Sequence, residues 1–568
     1  MTPPTGSGHR RDVDARTDRY VEELCALDPL TATYVGVAGH DADLPDLSPD
    51  GMAALEDLNR TAYADVAAIE AVDEREQVAK EAFLERVGLD IEFADAQLDR
   101  KFVSVIESGI HGLREVFDLM PTDTEDDWAA IGARLAGMPG AVAGYTATLR
   151  EEAAAGRVSA APQYAAVVDQ IVGWTGQSGA TGFFAGLVSR APEDVPASLR
   201  AELEASAAKA NDAFAEFGRF MGAELVPSGS PKEAVGRDHY QLASRRYLGA
   251  EIDLEETYAW GWEELERLSD DMDVTADRIL PGASVVEAAA HLDKDPERTL
   301  DSPGALQEWM QTTADRAVAD LSDTHFDIPE PIRRIECMIA PTSDGGIYYT
   351  GPSEDFSRPG RMWWSVPDSV TRFSTWRELT TVYHEGVPGH HLQVAQTAYR
   401  AEVLNRWQRL MCWVSGHGEG WALYAERLMD DLGYLSDPGD RLGMLDGQSF
   451  RAARVIIDIG MHLELAIPRD DNPFGFHPGE RWTPELGREF IGQHCLMEDA
   501  FLDFEVARYL GWPGQAPSYK VGERIWLQAR EDARARAGDA FDLKAFHRSA
   551  LDLGSLGLDP LRAALARL

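Results

Sequence analysis

Apolar residues recur along most of this chain at the three- and four-residue spacing of an amphipathic helix. The clearest run begins after Pro196 and extends to about Met221, where Leu199, Leu203, Ala210, Phe214, Phe217 and Met221 fall near one face. Stretches rich in Ala, Glu and Arg at 128–155 and 255–280 repeat the pattern. The period changes between about 332 and 367. There Ile335–Ile339, Ile347–Thr350 and Met362–Val366 are short β-prone runs, separated by turn material at Pro341–Gly346 and Ser357–Gly360. The pattern predicts a mainly α chain, a large multi-helix fold with one small sheet, and a return to helix after it. No internal repeat or low-complexity segment competes with this reading. A break at 225–235, around Pro227-Ser-Gly-Ser-Pro231, is the best boundary. It predicts an N-terminal helical lobe at 1–228 and a catalytic lobe at 229–568; two inseparable halves around one cleft are the equal alternative.

Composition narrows the class. A chain of 568 residues exceeds what one ordinary core supports, which fits two lobes. Its hydrophobic and charged fractions, 44% and 26%, are those of a globular protein. Only the first ten or so residues, rich in Pro, Gly, Ser and Thr, read as a tail. The formal charge is −44, from 53 basic and 97 acidic residues. Such a chain repels phosphate backbones and anionic membranes, so neither nucleic acid nor membrane is an expected partner. No run of ~18 apolar residues is present to span a bilayer. The segment MTPPTGSGHRRDVDARTDRY lacks the apolar stretch of a signal peptide. Cys25, Cys337, Cys412 and Cys495 are far apart and form no CxxC pair, which disfavours a disulfide framework. A cytoplasmic enzyme is the expectation; the oligomeric state is left open.

The chemistry concentrates at His384-Glu385-Gly386-Val387-Pro388-Gly389-His390-His391. Thr375-Trp-Arg-Glu378 has the form of a capping box, which predicts a helix from about 376 that carries His384 and Glu385 behind the sheet. Two histidines one turn apart on a helix bind one zinc ion, but here position 388 is Pro and the next histidines come six and seven residues on. In an unbroken helix they would lie ~9–10 Å further along the axis, too far for two ligands of one ion. A kink at Pro388-Gly389 would fold one of them back. His390 is the first choice and His391 the alternative. A third ligand is expected from Glu419, in the first turn of the helix that Gly416-His417-Gly418-Glu419-Gly420-Trp421 opens and that ends near Gly433; His417 and Glu426 are runner-up or supporting groups. Glu385, beside a ligand but outside the ligand set, is the candidate general base. Arg451, Arg454, Asp458 and His462 form a polar stripe on an apolar helix, either a cavity wall or a buried network. Tyr519 and Lys520, read as lying in a turn before a helix, are candidate oxyanion or substrate-carboxylate donors. Trp363 and Trp364 read as core or cleft lining.

Taken in order, the segments HEGVPGHH, GEGWALYAE, RVIIDIGMH and EVARYLGWPGQAPSYKVG resemble a widespread bacterial family of uncharacterised zinc carboxypeptidase-like proteins with a His-Glu-x-x-Pro-Gly-His-His signature. Tyr348-Tyr349, Ser357-Arg-Pro-Gly360 and Asp28-Pro-Leu-Thr-Ala-Thr33 extend the resemblance over most of the chain. The family is distantly similar to helical gluzincin peptidases. That similarity implies a two-lobed gluzincin-like helical fold with a small sheet flanking the active-site helix. It implies His384, His390 and Glu419 as ligands of one Zn2+ ion, Glu385 as base, and Tyr519 and His462 as transition-state donors. Pro517 departs from the family pattern, where an aliphatic residue is expected. Three functions are carried forward: a zinc peptidase acting on short peptides, a zinc amidohydrolase acting on another amide, and a non-catalytic binding protein on the same fold.

Overall fold

A computed structural model describes residues 11–340, 346–353, 355–367 and 370–567. The expected N-terminal tail, and most of the turn expected at Pro341–Gly346, lie outside the described residues. The fold is mainly α, with strands in two small sheets. The chain divides into two compact units. One comprises the residues up to Glu76, Arg86–Val235 and Ala507–Trp512; the other comprises Gln77–Glu85, Gly236–Val506 and Pro513–Leu568.

In the first unit, helices α1 (Glu125–Ala154) and α2 (Ala197–Phe220) share one core. Helix α1 opens on a capping box: Thr124 Oγ1 accepts from the Asp127 amide and Asp127 Oδ2 accepts from the Thr124 amide. Two donors that the first turn leaves without partners are thereby satisfied. The buried stripe of α1, Trp128, Ile131, Leu135 and Met138, belongs to the same cluster as Leu203, Ala210, Phe214 and Phe217 of α2. Each Leu, Ile, Met or Phe among them removed from water contributes roughly 1.5–3 kcal/mol.

The second unit is organised by α3 (Leu254–Ile279), α4 (Pro303–Leu321), α5 (Thr375–Glu385), α6 (His390–Tyr399), α7 (Ser415–Asp431), α8 (Pro438–His462) and α9 (Ser518–Ala537). Helix α8 is buried on nearly every side from Gln448 onward, as an interior helix must be, and packs on α3, α5 and α9. Its crossing with α5 is close: a Cβ on Gly443 would lie 2.0 Å from the Trp376 carbonyl oxygen. Helices α7 and α9 cross as closely, with a Cβ on Gly420 only 2.4 Å from the Gly522 backbone.

Strands β1 (Ile335–Ile339), β2 (Ile347–Thr350) and β3 (Gly360–Trp364) form a sheet in the order β1-β3-β2, parallel between β1 and β3 and antiparallel between β3 and β2. The third strand starts two residues before the run expected at Met362–Val366. Alternation along it buries Gly360, Met362 and Trp364. Met362 and Trp364 share a cluster with Leu306 and Met310 of α4 and Val382 of α5, so the sheet flanks α5. The capping box expected at Thr375 is absent. Ser374 precedes the helix without a side-chain cap, Glu378 Oε2 accepts from Trp364 Nε1 at 3.1 Å, and Thr375 Oγ1 donates to the Arg298 carbonyl at 3.3 Å. Tertiary partners have claimed both side chains. No helix among the described residues is long and apolar enough to cross a membrane.

Candidate metal centre

The expected kink is a complete break. Helix α5 ends at Glu385, α6 begins at His390, and Gly386-Val387-Pro388-Gly389 joins them. The Gly386 amide donates to the Val382 carbonyl (2.9 Å), the Gly389 amide to Tyr383 (3.0 Å) and the His391 amide to Gly386 (3.1 Å). Trp421 Nε1, from α7, donates to the Pro388 carbonyl at 2.9 Å. A Cβ on Gly389 would lie 1.9 Å from the His384 carbonyl oxygen, so only glycine lets α6 start this close to the end of α5. The His390 ring comes to stand perpendicular to that of His384, with centroids 4.8 Å apart.

Glu419 reaches the same point from α7. One ligand atom each from His384, His390 and Glu419 lies within 4.8 Å of the others. Glu419 Oε2 is 3.3 Å from His384 Nε2 and 3.5 Å from His390 Nε2. Because α7 begins at Ser415, Glu419 lies in its second turn rather than its first. His391 is directed elsewhere. Its Nε2 donates to the Ile332 carbonyl at 2.7 Å and its Nδ1 accepts from Tyr349 Oη at 2.9 Å. Both ring nitrogens are engaged, and burial lowers its pKa to about 4, so it stays neutral.

Two further groups fix His384. Its Nδ1 pairs with Glu426 Oε1 at 2.7 Å, and Glu426 Oε2 accepts from Thr380 Oγ1 at 2.6 Å. This leaves Nε2 facing Glu419 and His390. Burial depresses the His384 pKa, but Glu419 and Glu426 outweigh it and raise the value to about 9. Burial likewise works against the ionised form of Glu419, yet His390 and His384 hold its carboxyl well below the ordinary range. An ionised carboxylate thus faces two imidazoles, a donor set that suits a divalent cation. Glu385 stands beside this group without joining it. Burial raises its pKa, opposed by His390 and His384, and its Oε2 is buried without a partner among the described residues. Trp413, half exposed at 51%, has its ring 6.0 Å from that of His390 and so marks the solvent side of the centre.

The remaining candidates have other partners. His417 Nδ1 meets Gln393 Nε2 at 2.9 Å, and its ring packs on Trp526. The polar stripe of α8 divides: Arg454 pairs with Glu505 at 2.8 Å, and Asp458 Oδ2 accepts from Tyr240 Oη (2.6 Å) and the Gly514 amide (2.9 Å). Fully buried His462 lies 3.8 Å from Asp458 and against the Tyr240 ring. It is eleven residues, roughly 16 Å of helix, beyond Arg451, the member of the stripe that approaches His384 through Glu426. Tyr519 and Lys520 lie inside the first turn of α9 rather than in the turn before it. Lys520 Nζ donates to Glu264 and Gln448, both at 2.8 Å, and to Glu523. The Tyr519 ring packs under Arg454 and Arg451. Pro517 is accommodated as the residue preceding α9, its carbonyl accepting from the Val521 amide at 3.0 Å. Trp364 is buried and Trp363 Nε1 donates to Thr350 Oγ1. Sequence reasoning missed Thr380 and Trp413. Thr380 had a signal, one turn before His384 on the same face; Trp413 had none.

A family profile described as "Bacterial protein of unknown function (DUF885)" matches residues 29–565. The chain belongs to this family. A search of curated proteins finds no match for this DUF885 chain. Among solved structures it is similar to "the putative lipoprotein from Colwellia psychrerythraea", with a TM-score of 0.85 and 23% identity over 98% of each chain. It is also similar to "a putative lipoprotein of unknown function from Shewanella oneidensis", with a TM-score of 0.75 and 16% identity over 98% of this chain and 99% of that one. At these identities the likeness shows a common fold.

Proposed function

We propose that this DUF885 chain is a zinc-dependent hydrolase of short peptides, of the carboxypeptidase or oligopeptidase type. One observation carries the reading: His384, His390 and Glu419 converge within 4.8 Å, with Glu385 buried beside them. Two imidazoles and one carboxylate are the donor set of a catalytic zinc site that keeps a position open for water. Zinc bound there supplies a water that ionises at a pKa of roughly 7 and a Lewis acid for the substrate carbonyl. Glu385 would take the proton of the attacking water and return it to the leaving amine. Glu426 and Thr380 hold the His384 ring in the tautomer that leaves Nε2 as donor. The resemblance to helical gluzincin peptidases supports the same roles.

Metal analysis and a substrate screen test this. We expect one zinc ion per chain and chelator-sensitive hydrolysis of di- and tripeptides. A chain without stoichiometric zinc, or one that cleaves only acyl-amino acids or other non-peptide amides, overturns it. We place the protein in the cytoplasm, a reading supported by its four free cysteines. The descriptions of the two structural neighbours favour a lipid-anchored location instead, and fractionation of host cells separates the two readings.

A further inference from the structure

Carboxylates crowd the centre, and one cation stands beside it. Arg451 of α8 brings Nη1 to 3.9 Å from Glu426 Oε1, the oxygen that holds His384. The guanidinium is held there by this loose ion pair, and its charge also acts on Asp446. Gly447, one turn earlier, has no Cβ to fill the space, and its carbonyl accepts from Nη1 at 3.2 Å. The Tyr519 ring packs against the guanidinium, 5.7 Å from Cζ. Nε is buried with no partner among the described residues, yet the side chain keeps 18% exposure. Arg454, one turn along, is the contrast: it is more deeply buried and paired with Glu505 at 2.8 Å. The stripe therefore holds one arginine in a close carboxylate pair and one, partly exposed, in a looser pair.

We propose that Arg451, lined by Tyr519, binds a carboxylate of the substrate, and that this carboxylate is the free C-terminus of a short peptide. This rests on the peptidase reading and narrows its substrate class. A planar guanidinium fork matches a carboxylate and distinguishes it from a neutral amide, which an isolated positive charge does less well. In a chain with a net charge of −44, a partly exposed arginine one carboxylate removed from His384 attracts an anionic group that the rest of the surface repels.

The test is binding, so it does not depend on turnover. The full-length, zinc-loaded Glu385→Gln protein is titrated calorimetrically with N-acetyl-Ala-Ala-Ala, its C-terminal amide, and N-acetyl-Ala-Ala-Asp-amide. The free acid is expected to bind more tightly than either amide by on the order of 30-fold. Adding Arg451→Lys, which keeps the charge but not the fork, is expected to bring that ratio below about 5-fold. Equal binding of acid and amide, no binding of either, or a ratio that survives Arg451→Lys overturns the proposal. So does an aspartyl amide that binds as well as the free acid, since that assigns the site to a side chain. The acid-to-amide comparison on the parent needs no Arg451 variant to fold. If the wild-type chain holds no zinc or hydrolyses no peptide while the ratio persists, the peptidase reading fails and Arg451 keeps its role. Hydrolysis without the ratio has the opposite meaning.

Discussion

Two buried glutamates lie next to His384, and their partners separate their roles. Both oxygens of Glu426 are engaged, one by His384 and one by Thr380. Glu385 Oε2 has no partner among the described residues. A buried acceptor left unsatisfied costs roughly 1–3 kcal/mol, a local penalty of the kind that folds retain at functional positions. Glu385→Gln is therefore expected to keep zinc and lower hydrolysis by roughly 10²- to 10⁴-fold. Wild-type turnover in that variant would remove Glu385 as base. Glu426→Gln is expected to act on the metal instead, weakening zinc affinity roughly 10- to 100-fold, with activity recovering in excess zinc. An unchanged zinc affinity would show that the Glu426 contact does not tune the ligand. At this scale the residue types of the centre were legible in the sequence. His390 was the first choice there and His391 stayed open as the alternative, because both follow the same Pro-Gly break. What separates them is remote in sequence: Tyr349 and the Ile332 carbonyl occupy both nitrogens of His391.

Helices were easier to read than the way they meet. The periodic stretches at 196–221, 128–155 and 255–280 correspond to Ala197–Phe220, Glu125–Ala154 and Leu254–Ile279, because a buried stripe imprints its period on the chain. The capping box at Thr375 had the right residues and misled, since Trp364 and Arg298 supplied stronger partners from elsewhere. The parallel pairing of β1 with β3 leaves no local mark either, since β2, between them in sequence, pairs on the far side of β3. The decisive element is the connection from α5 to α6. Gly389→Ala places a methyl against the His384 carbonyl and forces α6 away from α5. Overpacking of this kind costs roughly 1–3 kcal/mol. The fold should survive, with a lower melting temperature, while zinc affinity falls because His390 is displaced. A variant that binds zinc as the parent does would mean that the glycine is not what brings the two imidazoles together.

Over the whole molecule, acid is expected to act through buried and half-buried histidines and aspartates with opposite signs. Burial lowers His111 and His494 to about 4 and His547 to about 3. Their unfolded forms take up a proton near pH 6.5 and the folded forms do not. Each therefore contributes stability that is complete above pH 6.5 and is lost as the pH falls toward its folded value, at up to ~1.4 kcal/mol per pH unit. Burial raises Asp440 and Asp446 to about 6. Each of these lowers stability above pH 6, and the penalty fades as the pH falls toward the unfolded value near 4. Single variants separate the two contributions. The His547→Gln protein keeps a group able to bond Tyr424 Oη, which now lies 2.7 Å from His547 Nε2. Its urea midpoint should fall less than that of wild type between pH 6.5 and 4.5. Asp446→Asn should raise the midpoint at pH 7.5 and lose that advantage by about pH 4. An equally steep fall in the histidine variant, or an aspartate variant whose gain persists in acid, would show that these groups keep ordinary pKa values in the folded chain.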